Sequence, residues 1–184
     1  GRFFKRNNLF LTGSARDYGY LYNQINQLKD MVIYFPSYIC NSVFDNISEL
    51  ENKIVFYNIT LDLKIASDQL YSTLSSDPKR RKALYVVHYF GFPDPKFEEI
   101  SQFCKQHGIM LFEDCALSLY SRYKGKYLGS LGDVGIYNLT KNTCLLDGGA
   151  VIFNGNKIND SEIEVFSRNN PDLMHPHYLR IVKS

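Results

Sequence analysis

Six short apolar runs recur along the chain and constrain its fold more than any other feature: MVIYFP (31–36), KIVFYNI (53–59), ALYVVHYF (83–90), IMLFEDC (109–115), VGIYNL (134–139) and AVIF (150–153). Rich in β-branched and aromatic residues, they read as strands, and most are too continuously apolar to have a solvated face. Helical patterns lie between several of them. KFEEISQFCKQHG (96–108) places Phe97, Ile100, Phe103 and Cys104 on one face and ends on Gly108 as a C-cap. Strand alternating with helix specifies a mainly parallel sheet covered on both sides, an α/β three-layer sandwich.

With 184 residues, 45% of them hydrophobic and 22% charged, and a net charge of +2, the chain reads as one soluble globular domain with a sizeable core. This near-neutral balance gives no electrostatic case for nucleic acid. The basic cluster PKRRK (78–82) is short and reads as a solvated loop rather than a phosphate patch. There is no sign of a membrane span, and the start GRFFKRNNLF lacks the apolar stretch of a signal peptide, so a cytoplasmic protein is expected. Cys40, Cys104, Cys115 and Cys144 are far apart and show no C-x-x-C spacing. Reduced, buried thiols are expected, without a disulfide framework or a metal site.

Residues 1–154 form the α/β domain in this reading, and 155–184 a polar tail with a short helix around DSEIEVFSR. His175 and His177 fall in the loop that follows and read as surface residues. The stretch SRYKGKYLGSLGDVG (121–135) is a short excursion with repeated turns, since glycines interrupt any helical period. No G-x-G-x-x-G follows a first strand and no G-x-x-x-x-G-K-[ST] occurs, which disfavours a nucleotide-binding α/β protein of another kind.

Three places carry chemistry. In TGSARDYGYLYNQINQLK (12–29), Ser14 and Asp17 have capping-box spacing ahead of an apolar stripe of Tyr18, Leu21, Ile25 and Leu28. A Gly13-Ser14 turn at a helix start exposes N–H groups that suit a phosphate, although every helix needs a cap. Asp114 ends an apolar run, where open α/β sheets place ligand-binding groups, and where a carboxylate also serves as a cap. Lys141 stands between two apolar runs, at a strand end that opens on the same crevice; an isolated lysine there is ordinarily a solvated surface group. His88 ends a strand near the same crevice and reads as a histidine satisfied by backbone groups. A phosphate site, a carboxylate and an amine together match one cofactor, pyridoxal phosphate, whose phosphate needs donors, whose ring nitrogen needs a carboxylate and whose aldehyde needs a lysine.

The succession TGSAR, FPSYICNSV, VVHYFGFPDP, FEDCALSLYSRYKGKYLGSLGDVG, YNLTKN and DGGAV resembles the sugar aminotransferases of the DegT/StrS type, from about Phe10 to Asn154. The resemblance implies a pyridoxal-phosphate-dependent enzyme of fold type I, with residues 1–154 as the cofactor-binding large domain and the usual C-terminal domain missing. It implies that Lys141 is the Schiff-base lysine, Asp114 the ring-nitrogen partner, and Gly13 with Ser14 the phosphate-binding turn. Asn138 falls where the family usually has a phosphate-binding serine, Cys40 where many members place an aromatic ring over the cofactor, and Leu117 where a glutamine is typical. The implied activity transfers an amino group from an amino acid, glutamate foremost, to a nucleotide-linked keto-sugar for surface polysaccharide, in a homodimer. The alternative is a non-catalytic homologue that keeps the fold as a binding or assembly module.

Overall fold

The computed structural model describes residues 9–17, 31–44, 53–76 and 80–154. Among these described residues, nine strands and two α-helices follow one another as β1 (Leu9–Thr12), β2 (Val32–Pro36), β3 (Lys53–Tyr57), α1 (Ser67–Ser75), β4 (Lys82–Val87), α2 (Phe97–Gln106), β5 (Met110–Asp114), β6 (Arg122–Tyr123), β7 (Lys126–Tyr127), β8 (Val134–Asn138) and β9 (Gly149–Phe153). Seven of the strands form one sheet in the order β1-β9-β8-β5-β4-β2-β3, and β6 with β7 make a separate hairpin. β3, β2, β4, β5 and β8 run parallel to one another, whereas β9 is antiparallel to both β8 and β1.

Each predicted apolar run supplies one of these strands, and the side-chain period of two divides it between two cores. Ile33, Phe35, Ala83, Tyr85, Met110 and Phe112 pack on one face. Val32, Tyr34, Leu84, Val86 and Leu111 pack on the other, against Leu70 and Leu74 of α1 and Phe97, Ile100 and Cys104 of α2. Burial on both faces explains why most of the runs are continuously apolar, although β3, at the sheet edge, leaves Phe56 exposed. α2 ends as its sequence predicts. Gly108 takes φ +64°, and the Ile109 N–H reaches back to the Cys104 carbonyl at 2.8 Å, which closes the last turn in a left-handed cap.

Two edges of the sequence reading need correction. The strand β1 pairs with β9 at the sheet edge, an element that the polar-flanked LFLT did not announce. Lys82 is not in a solvated loop: it opens β4, is buried, and its Nζ donates to the Leu74 carbonyl at the end of α1. The ammonium finds an unpaired helix C-terminal carbonyl, a partner that a charge cluster in sequence does not reveal. Arg80 and Arg81 are exposed as expected. The apolar stripe 18–29, the tail from 155 on, and His175 and His177 lie outside the described residues.

The excursion 121–135 closes over β8 and β9, where Leu119, Leu128, Tyr137, Ala150 and Ile152 form a third cluster. One side chain holds it down. Glu113, fully buried in β5, accepts N–H bonds from Gly129 at 2.8 Å, Leu131 at 2.7 Å and Gly132, and a bond from His88 Nε2 at 3.0 Å. A carboxylate offers about four lone-pair sites, so Glu113 is saturated. The E-D and G-S-L-G-D elements, distant in sequence, are thus two halves of one joint.

Candidate functional site

Parallel strands leave their carboxyl ends on one side of the sheet, and a cavity of about 630 Å³ opens there. Ser14, Cys40, Asp114, Asn138 and Lys141 all line it. Each stands at or just beyond the end of a strand, which is how residues so far apart in sequence meet. Gly13 lies beside Ser14 and off the lining, where its carbonyl accepts the Gly148 N–H at 2.9 Å. The second glycine of the DGGAV element has a steric purpose. Any Cβ on Gly149 would fall on the Ser14–Ala15 peptide, 2.5 Å from the Ala15 nitrogen, so a side chain there would push the turn away from β9.

Asp114 is the last residue of β5 and forms part of the cavity wall while only 8% exposed. Its Oδ1 accepts the Ala116 N–H at 2.9 Å and its Oδ2 the Tyr85 hydroxyl at 2.9 Å. Burial pushes its pKa up; the Ala116 and Tyr85 bonds and the charges of His88 and Lys141 oppose that shift. With two donors on about four lone-pair sites, the carboxylate keeps acceptor capacity for a ligand.

Lys141 sits three positions past β8 in an exposed turn. Asn138 ties that turn together: its Oδ1 accepts the Lys141 N–H at 3.1 Å and the Thr140 hydroxyl at 2.6 Å. Asn142 joins the lysine turn to the Asp114 loop, donating from Nδ2 to the Ala116 carbonyl at 2.7 Å and to the Asn138 carbonyl at 2.9 Å. Sequence reasoning missed Asn142 and Tyr85. Asn142 closes the YNLTKN element but was given no role there, and Tyr85 belongs to no motif and reads only as part of an apolar run.

The Gly13-Ser14 turn already holds an anion. Asp17 accepts the Ser14 N–H at 2.8 Å and the Ser14 hydroxyl at 3.1 Å, half of the capping box that the spacing predicts, at the start of a short 3-10 turn, Ala15–Asp17. These donors suit an anion, and a phosphate bound at this turn would compete with Asp17 for them. Arg16 and Lys141 add positive charge at the same rim. Both help to lower the pKa of Cys40, although its hydrogen bonds with Ser42 contribute more. The cavity, the buried acceptor, the rim amine and the anion-holding turn fit pyridoxal phosphate.

Other neighbours complete the lining. Cys40 and Cys144 are exposed, contrary to the expectation of buried thiols, whereas Cys104 and Cys115 are buried; all four are free. Strand ends left Cys40 at the cavity rim, beyond the apolar run that suggested burial. His88 lines the cavity, but the Glu113 side chain rather than backbone engages its ring. Because an ionised carboxylate only accepts, Nε2 carries the hydrogen. His88, Glu113 and Cys115 have ligand atoms within 4.8 Å of one another, yet the N–H donors that fill Glu113 leave it no lone pair for a metal. Phe90 stands at the mouth, 66% exposed, with a backbone φ of 54° that non-glycine residues seldom adopt. No helix among the described residues is long and apolar enough to cross a membrane.

The sequence model of the DegT/DnrJ/EryC1/StrS aminotransferase family matches residues 23–170. A GDP-perosamine synthase of Escherichia coli O157:H7 is 34% identical over 83 residues, 44% of this chain and 22% of the relative. A UDP-4-amino-4,6-dideoxy-N-acetyl-beta-L-altrosamine transaminase of Campylobacter jejuni subsp. jejuni is 32% identical over 108 residues, 58% of this chain and 28% of the relative. These matched stretches thus cover between 22% and 28% of the relatives' lengths. Among solved structures, a DegT DnrJ EryC1 StrS aminotransferase from Brucella abortus superposes with a TM-score of 0.73 at 19% identity, covering 88% of this chain and 46% of that one. The aminotransferase TlmJ from Streptoalloteichus hindustanus gives a TM-score of 0.70 at 22% identity, covering 88% and 43%. At these identities the structural likeness carries the fold alone, and that fold is the α/β sandwich the strand and helix order predicts.

Proposed function

The chain belongs to the DegT/DnrJ/EryC1/StrS aminotransferase family, and from that premise we propose that it is the cofactor-binding part of a pyridoxal-phosphate-dependent aminotransferase acting on a nucleotide-linked keto-sugar. Glutamate is the amino donor in this reading, a homodimer the working form, and the cytoplasm, where nucleotide sugars are made, its location. One observation carries the proposal: a buried carboxylate with spare acceptor capacity and a rim lysine line the same cavity.

Bound there, the cofactor would supply an aldehyde carbon for the amino group and a ring that draws electrons from it. Asp114 would hold a proton at the ring nitrogen. Ser14, released by Asp17, would bind the phosphate through its N–H and hydroxyl, with Arg16 adding charge at the rim. Lys141 Nζ would anchor the aldehyde and, once freed, would take a proton from the α-carbon of the donor and return it. Asn138 and Asn142 would keep that amine near Asp114 by tying the two loops together.

Relatives named for GDP-perosamine and for a UDP-linked altrosamine support a nucleotide-sugar substrate. The test is an absorbance titration with pyridoxal phosphate, followed by borohydride reduction and peptide mapping. A band that reduction fixes on Lys141, and that Lys141→Ala abolishes without loss of fold, is the expected result. A folded protein that gives no band would instead mark a non-catalytic module.

A further inference from the structure

Tyr85 belongs to no motif, yet its place in the sheet ties it to Asp114. β4 and β5 pair in parallel with Tyr85 opposite Phe112 and Val87 opposite Asp114, so all four side chains share one face. The Tyr85 backbone stands two residues short of Asp114. Two strand residues rise about 6.6 Å, close to the length of a tyrosine side chain, so a ring leaning along the strand delivers its hydroxyl to the carboxylate. The ring is held on both sides, by Phe35 at 4.9 Å and Phe112 at 6.3 Å between centroids, and it is only 2% exposed. Tyr85 also lines the cavity.

We propose that Tyr85 is the positioning residue for Asp114: its hydroxyl fixes the plane of the carboxylate and sets how that group is offered to a protonated heterocycle in the cavity. An ionised carboxylate only accepts, so the phenol donates, and with the Ala116 N–H on the other oxygen the side chain cannot rotate without losing a bond. Other groups bear on the same carboxylate. His88 and Lys141 favour its charged form, while the Tyr89 and Cys115 side chains share its surroundings and are themselves disfavoured as anions by it. Tyr85 differs from His88 and Lys141 in touching the oxygen directly, as a neutral donor that a phenylalanine would replace without changing ring packing. The role of the heterocycle rests on the proposed cofactor; the role toward Asp114 does not.

Two measurements on the full chain separate these. In the ligand-free protein, 13C resonances of labelled aspartate follow the titration of Asp114, identified by its loss in Asp114→Asn. Tyr85→Phe is expected to move the midpoint to higher pH, and 3-fluorotyrosine placed at position 85, a stronger donor, to lower pH. Opposite movement from two well-packed rings is not what a merely structural role would give. In the loaded protein, 15N-labelled pyridoxine 5′-phosphate, which has no aldehyde for Lys141, reports where the proton lies. Tyr85→Phe is expected to lower the ratio of protonated to neutral ring nitrogen about tenfold, the weight of a hydrogen bond to a charged group. An Asp114 midpoint that stays put in both Tyr85 variants overturns the proposal whatever the probe does. A midpoint that moves while the probe fails to bind upholds Tyr85 and rejects the cofactor reading.

Discussion

Glu113 and Asp114 are adjacent acidic residues at the end of one strand, and they occupy opposite worlds. Period-two alternation sends Glu113 to the side where the excursion 121–135 folds down, and Asp114 to the side of the cavity. Glu113 meets three backbone N–H groups and the His88 ring and has nothing left to offer. Asp114 meets the Ala116 N–H and the Tyr85 hydroxyl and keeps lone pairs free. A filled carboxylate is a structural joint, whereas a half-filled one beside a cavity can still accept a further donor.

The largest expected effect breaks the filled side. Glu113→Ala orphans the N–H groups of Gly129, Leu131 and Gly132 and His88 Nε2, a loss of about 3–5 kcal/mol that would consume much of the stability of a domain this size. Urea denaturation should show it as a collapse of the midpoint or as insoluble protein. Next comes Gly149→Ala, which drives a methyl group into the Ser14–Ala15 peptide at a cost of about 1–3 kcal/mol. Because the displaced turn holds the proposed phosphate donors, phosphate-dependent binding should fall by more than the stability loss alone explains.

Asp114→Asn probes the half-filled side, and its effect on the empty protein should have the opposite sign. Burial raises the folded-state pKa of Asp114, so its contribution to stability is complete below the ordinary carboxylate value and is lost as pH rises through the folded value. An asparagine, uncharged at every pH, should therefore raise the thermal midpoint of ligand-free protein at neutral pH and lose that advantage in acid. The same change should weaken cofactor binding. A midpoint that falls at neutral pH would mean Asp114 is as fully satisfied as Glu113. The smallest effect belongs to Asp17→Asn, which removes a charge competing for Ser14 and is expected to tighten pyridoxal phosphate binding roughly twofold to fivefold.

Much of the fold was legible because it rests on local pattern. Six apolar runs became six sheet strands, the stripe of Phe97, Ile100 and Cys104 became the buried face of α2, and Gly108 became its cap. β1 was not legible, because a four-residue edge strand draws its identity from pairing with β9 rather than from its own sequence. At the site, strand ends pointed to Asp114 and Lys141, but the hydrogen bonds that decide their behaviour come from Tyr85, Asn138 and Asn142. Tyr85 lay hidden inside ALYVVHYF, where a tyrosine reads as one more apolar strand residue.

The sequence by itself determined a parallel α/β sheet with chemistry gathered at its carboxyl ends, because periodicity and strand order act through neighbours in the chain. Only the tertiary structure decided which of two adjacent carboxylates is filled and which is open. That choice depends on how many donors arrive, all but the neighbouring Ala116 N–H from residues 16 to 29 positions away, and donor number is a property of packing in space. Lys82 and Cys40 make the same point in opposite directions. A basic cluster surrendered one lysine to a buried helix end, and an apolar run left its neighbouring cysteine at the rim.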